Sequence, residues 1–260
     1  MHLDRVTITG ADDSVEPQDI VDLSREFPFV EWGILASQKS TGRSSRFPSR
    51  EWMIRLQAVA SQNPMNLSLH LCGRWVRELL IGKRCEQLDD AALFLFQRVQ
   101  LNFHAENTRC HPLDFCHALS TMGDREFIFQ IDGSGGNEHL EAVNDAADCH
   151  NYRLKTVALF DLSGGAGVLP ESWPKPIYLN ATPGPHGEGV EQWAYHGYAG
   201  GLSPDNLAVQ IPLIAQAADG ARFWIDMETR VRSDDDRQFD LGKVRKALEI
   251  AAPFVRQPVA

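Results

Sequence analysis

Short apolar segments recur along the chain, and between them apolar residues return every three or four positions. The first pattern suits β-strands and the second amphipathic helices. Strands are predicted at Arg5–Thr9, Phe29–Leu35, Leu67–Leu71, Val99–Phe103, Phe127–Ile131, Thr156–Phe160 and Phe223–Met227. One further strand, seventh in order, falls at either Pro176–Leu179 or Tyr195–Ala199. Helices are predicted at Pro17–Glu26, Ser49–Gln62, Leu88–Gln97, Pro112–Leu119, Asn137–Cys149 and Leu241–Val255. Another opens at Ser203-Pro204, a cap followed by proline at the first helical position, with Pro212 expected to kink it. Strands alternating with helices point to an α/β fold, a (β/α)8 TIM barrel rather than an open sheet. Residues 1–260 read as a single barrel domain, with the Gly/Pro-rich Pro183–Gly189 as an insertion near its rim.

Alternation within the strands carries functional content. Leu67, Leu69 and Leu71 share one face of the third strand, and Ser68, His70 and Cys72 the other. Gln100, Asn102 and His104 share a face of the fourth, Gln130 and Asp132 of the fifth, Asp226 and Glu228 of the eighth. A barrel strand sends one parity to the helices and the other inside, so these polar residues should converge at the C-terminal mouth, where barrel active sites sit.

The chain has 260 residues, 43% hydrophobic and 23% charged, which suits a folded globular protein. A net charge of −10 argues against nucleic acid or an anionic membrane as partner. The start lacks the pattern of a signal peptide, and no stretch approaches the ~18 apolar residues needed to span a bilayer. Five scattered cysteines suggest reduced thiols in a cytoplasm. Cys110-His111, Cys116-His117 and Cys149-His150 have poor spacing for a metal, since Cys110 and His117 would lie about 10 Å apart along one helix. Gly133-Ser-Gly-Gly136 lacks the dinucleotide fingerprint. Neither metal nor cofactor is therefore expected.

The order of motifs resembles the phosphoribosylanthranilate isomerase family. Thr7-Ile-Thr-Gly10 stands where that family has Lys-Ile-Cys-Gly, and Trp32-Gly-Ile-Leu35 with Ser45-Arg46-Phe47 resembles its Gly-Phe-Val-Phe and Ser-Pro-Arg-Tyr. Val99-Gln100-Leu101 is similar to its Val-Gln-Leu, and Leu159-Phe160-Asp161 with Gly164-Gly165-Ala166-Gly167 to its Leu-Leu-Asp and glycine loop. Ala199-Gly-Gly-Leu-Ser-Pro-Asp-Asn206 is close to its Ala-Gly-Gly-Leu-Asn-Pro-Glu-Asn, and Ile225-Asp226-Met227 resembles its Val-Asp-Val. The matches are colinear and span nearly the whole chain. The resemblance implies a (β/α)8 barrel and acid–base conversion of an aminoaldose to an aminoketose.

It also marks departures. The family's general acid corresponds to Asp161, but its base cysteine corresponds to Thr9, whose hydroxyl cannot ionise near neutral pH without a neighbouring base. His70, His104 or Asp132 would have to supply that base, although each also suits a structural hydrogen bond or turn. The family's phosphate seat would fall at Gly200 and Gly201, where free backbone N–H groups suit an anion. After the eighth strand, Glu228 would repel a phosphate and Arg230 would attract one. Asp226 and Glu228 read as an acid–base pair or as partners of Arg230 or Arg46, and Arg43 and Arg46 as holders of a substrate carboxylate or as a solvated loop. The expectation is a divergent isomerase- or lyase-type enzyme on a small sugar-phosphate-like or carboxylated metabolite, homo-oligomerisation being left open. The alternative is a barrel that has lost catalysis and binds a small ligand or a protein partner.

Overall fold

A computed structural model describes residues 2–83, 95–103, 110–132, 136–161, 163, 167–177 and 195–256. Eight parallel strands pair in sequence order and close β8 onto β1: β1 Leu3–Thr9, β2 Val30–Ser37, β3 Asn66–Cys72, β4 Arg98–Asn102, β5 Glu126–Ile131, β6 Lys155–Phe160, β7 His196–Tyr198 and β8 Phe223–Met227. The chain is thus an α/β protein with the closed (β/α)8 architecture. The described helices are α1 Pro17–Glu26, α2 Arg50–Ala60, α3 Arg74–Leu80, α4 Pro112–Ser120, α5 Gly136–His150, α6 Leu207–Ala217 and α7 Leu241–Ala251.

Local chemistry sets several boundaries. Pro17 opens α1 behind a capping box between Glu16 and Asp19. Ser49 caps α2 by accepting from the Trp52 N–H at 3.1 Å, and Asp240 caps α7 through Gly242 and Lys243. The outward parity of the strands, Leu67, Leu69, Leu71, Val99, Leu101, Phe127 and Phe129 among it, packs with the helices into the main core. A separate, smaller apolar cluster fills part of the barrel interior.

The structure decides one open alternative and departs from the sequence expectations in two places. The seventh strand lies within Tyr195–Ala199, and at the rejected segment the Ile177 N–H donates to the His196 ring at 3.0 Å instead of entering a ladder. The helix after β3 is Arg74–Leu80; of the expected Leu88–Gln97, residues 84–94 lie outside the described residues and Leu95–Gln97 is not helical. Gly73, at φ 65°, turns the chain into α3 directly after the strand, and Trp75, Val76, Leu79 and Leu80 bury its inner face. Finally, α6 starts at Leu207 and not at Ser203. The Asn206 side chain accepts from the Ser203 N–H and donates to the Gly201 carbonyl, both at 2.9 Å, and so closes a turn ahead of the helix. Pro212 sits inside α6, which runs without a break.

Candidate active site

Inward parity and strand ends converge on a cavity of about 270 Å³ at the C-terminal mouth. His70 and Cys72 reach it from β3, Gln100 and Asn102 from β4, Gln130 from β5 and Asp161 from just beyond β6. Gly200 and Gly201 follow β7, Asp226 ends the inward row of β8, and Glu228, Thr229 and Arg230 complete the rim. Asp161 accepts from Gln130 Nε2 at 2.9 Å and from Ser163 Oγ at 2.6 Å, so two donors face its carboxylate.

Thr9 is not isolated. Its hydroxyl donates to Asp226 Oδ1 at 2.8 Å. Burial lifts Asp226 well above the usual carboxylate range, and the charges of Glu228, Glu31 and Asp161 add to that, against the opposing hydrogen bond from Thr9. His70 sits beside Thr9: a Cβ on Gly33 would collide with Thr9 Oγ1 and come within 2.8 Å of His70 Nε2. Only glycine leaves room for both side chains at this point of β2. Burial pushes His70 down to about 3, so the imidazole is neutral at physiological pH and holds a proton too weakly to serve as the cationic half of an acid–base pair. Burial also raises the Cys72 thiol, to about 12, which removes it as a thiolate nucleophile.

Beneath the cavity lies a buried ionic layer. Glu31 accepts from Thr7 and Arg98 on one oxygen and from Arg5 on the other, each at 2.8 Å. Burial opposes its charge, but Arg98 and Arg5 hold it below the ordinary carboxylate range. Arg98 also stacks over the Trp224 ring, 4.2 Å from its centroid.

The arginine expected to hold a substrate carboxylate is already engaged. Arg46 donates to Asp236 through Nε and Nη2 and to Glu228 through Nη1 at 2.6 Å. The fully buried Arg232 answers it, bonded to Asp236, to Asp12 and to the Gly10 carbonyl. This lattice ties together the loops after β1, β2 and β8. Its charge run Arg230-Val-Arg-Ser-Asp-Asp-Asp236 is visible in the sequence, but nothing there shows that Arg232 is the buried member.

The remaining expectations scatter. Arg43 is exposed and does not line the cavity, and Asp132 is half-buried at the end of β5, also outside the lining. His104 and Gly164–Ala166 lie outside the described residues. At the glycine turn, Gly201 is covered on one side by backbone: a Cβ there would lie 2.7 Å from the Val168 carbonyl carbon and 3.0 Å from the Leu169 Cα. Arg230 is exposed, makes no ion pair among the described residues, and borders both this cavity and a second groove of about 610 Å³. Among the described residues, Cys72, Cys110, Cys116 and Cys149 are free thiols, no group of three His, Cys, Asp or Glu side chains could hold a metal, and no helix is long and apolar enough to cross a membrane.

No family model and no curated protein matches the chain. Solved structures do. The truncated form of 3-deoxy-D-arabino-heptulosonate 7-phosphate synthase from Thermotoga maritima aligns over 97% of this chain and 88% of its own, with a TM-score of 0.54 and 10% identity. Phosphoribosyl anthranilate isomerase from Thermococcus kodakaraensis aligns over 96% of this chain and 99% of its own, at 13% identity and a TM-score of 0.49. At such identities the likeness concerns the barrel fold alone, and the second alignment adds no weight to it.

Proposed function

We propose that the chain is an acid–base enzyme, an isomerase or lyase acting on a small sugar-like or carboxylated metabolite. One observation carries this reading: two carboxylates in unlike environments, Asp161 and Asp226, line the same mouth cavity. Pairs of titratable groups whose surroundings separate their proton affinities divide into acid and base. Burial raises Asp226 well above the usual carboxylate range, so it suits the acid, while Asp161, accepting from Gln130 and Ser163, is placed as the base. The roles are thus the reverse of those the family resemblance implies for Asp161. Thr9 positions Asp226 and does not itself abstract a proton.

In an isomerisation, Asp161 would take a proton from the carbon beside a carbonyl. The bonding pair would form the C–C double bond, and the carbonyl oxygen would take the proton of Asp226, giving an enediol. Return of the first proton to the neighbouring carbon and of the hydroxyl proton to Asp226 would complete the exchange. An anionic group on the substrate would lie at the rim by Gly201 and Arg230, where the guanidinium is unpaired among the described residues.

The test is incubation in D2O with ribose phosphate, glyceraldehyde phosphate, free aldoses and phosphoribosylanthranilate, read by NMR. Deuterium entering the carbon beside the carbonyl of at least one of them is expected, with loss of that signal in Asp161→Asn. Exchange in none of them would favour binding without turnover. Turnover of phosphoribosylanthranilate at enzyme-like rates, compared with the Thr9→Cys variant, would show that Asp226 with Thr9 serves where the family has a cysteine.

A further inference from the structure

Three side chains on adjacent strands of the cavity wall have polar atoms that no neighbour satisfies. His70 Nε2, Gln100 Oε1 and Gln130 Oε1 are buried and have no hydrogen-bond partner among the described residues, although all three residues line the cavity and are 1%, 4% and 3% exposed. Buried polar atoms are nearly always paired, so three orphans lining one cavity point to a ligand.

The hydrogen bonds around them fix which atom is left over. Asn102 Nδ2 donates to Cys72 Sγ at 3.3 Å, so Asn102 Oδ1 is an acceptor and takes the Gln100 amide N–H at 2.8 Å. That leaves the Gln100 carbonyl oxygen as the unmet atom. Gln130 Nε2 donates to Asp161 Oδ2 at 2.9 Å, which leaves the Gln130 carbonyl oxygen in the same position. Both glutamines therefore ask for donors. His70 is uncharged and offers one nitrogen, as donor or acceptor according to its tautomer.

We propose that this arc of β3, β4 and β5 is a hydroxyl-binding subsite, at which His70, Gln100 and Gln130 take successive hydroxyl groups along the uncharged stretch of an extended polyhydroxylated carbonyl compound, an open-chain sugar. The proposal rests on the mouth being the reactive site and names the substrate class for it. A hydroxyl is both donor and acceptor, so it satisfies a glutamine carbonyl oxygen and either tautomer of the imidazole. An aromatic ring would leave all three atoms unmet. A carboxylate cannot donate to the glutamines and would meet the negative side of Asp161 and Glu228. A single ammonium group cannot serve three adjacent strands, which are spaced ~4.8 Å apart. Arg5 is engaged with Glu31, and Arg98 donates through Nε to Glu126 and through Nη1 to Glu31; its Nη2 is unpartnered among the described residues, but neither arginine lines the cavity, so this arc offers an anion no cation.

The full chain is titrated by calorimetry and saturation-transfer NMR with xylitol, D-ribose, its 2-deoxy analogue, n-butylamine and benzoate. Saturable binding of xylitol or ribose is expected, with the deoxy sugar about tenfold weaker. Gln100→Met keeps the side-chain length and removes the acceptor. It should weaken polyol binding about tenfold with little net change in Tm, because the unmet Gln100 oxygen leaves while Asn102 Oδ1 loses the Gln100 donor. Tighter binding of benzoate or butylamine than of the polyols, or no saturable polyol binding, overturns the proposal. The wild-type preference for ribose over the deoxy sugar decides the matter if the variant fails to fold. The D2O exchange separates the two readings: exchange without polyol binding overturns the subsite alone, and polyol binding without exchange overturns the reaction alone.

Discussion

The two halves of the barrel interior are built from opposite materials. From β5 to β8, Ile128, Val157, Leu159, Ala199 and Trp224 form a compact apolar cluster of the kind that usually fills a barrel. From β1 to β4 the same layers hold Thr7, Thr9, Glu31, Ser68, His70, Arg98 and Gln100, all buried. Apolar residues stabilise by leaving water and need no particular partner. Buried charges stabilise only when each is matched, and a buried polar atom without a partner costs about 1–3 kcal/mol. Deep on the polar side Glu31 is matched by Arg5 and Arg98, although Arg98 Nη2 and Ser68 Oγ find no partner among the described residues; where the cavity begins, His70 and Gln100, with Gln130 of the neighbouring β5, are unmatched. The contrast separates a structural floor from a recognition wall.

The largest effect should come from breaking the floor. Glu31→Ala leaves Arg98 with Glu126 alone and Arg5 without this carboxylate, and should cost about 3 kcal/mol in urea unfolding. Because Glu31 is held below the ordinary carboxylate range, its contribution is complete above the unfolded value and fades as pH falls through the lowered one. A loss under 1 kcal/mol would mean that the ionic layer is dispensable. Gly33→Ala should come next. Its Cβ would force Thr9 and His70 apart at an overpacking cost of ~1–3 kcal/mol, and D2O exchange should fall with it. An unchanged Tm would show that the wall yields more easily than the contact implies.

Asp226→Asn should act with the opposite sign. A carboxyl whose proton affinity rises on folding stabilises at low pH and loses that contribution as pH climbs through the raised value. The asparagine carbonyl can still accept from Thr9, so the variant should melt above wild type at neutral pH. The gap should close in acid below the ordinary carboxylate value of ~3.9. Loss of exchange with a gain in Tm would mark Asp226 as a group kept for chemistry; a lower Tm at neutral pH would argue that its charge is structurally required. At the bottom of the scale, Arg43→Ala should change stability by no more than ~0.5 kcal/mol, since the side chain is exposed. A larger loss would give that loop a structural role.

Much of the framework was legible because it depends on local periodicity. The eighth strand coincides with its prediction at Phe223–Met227, and the alternation Ser68, His70, Cys72 against Leu67, Leu69, Leu71 separates the inward from the outward face. Elements failed to show where a single side chain redirected the chain. Asn206 delays α6 by closing a turn, and Gly73 starts a short helix that lacks a long apolar stripe. In the mouth, Asp161 and the glycines after β7 carried a visible pattern, whereas the engagement of Arg46 by Asp236 and Glu228 depends on residues 182 and 190 positions away.

The order of hydrophobic and polar residues thus determined by itself the alternating strands and helices and which face of each strand is polar, because both follow from periods of a few residues. Tertiary structure alone decided the partners of those polar groups. Thr9 and Asp226 stand 217 positions apart and share a proton only because β8 closes onto β1. Burial, which exists only once the ring has closed, then sets Asp226 and His70 to their unusual proton affinities.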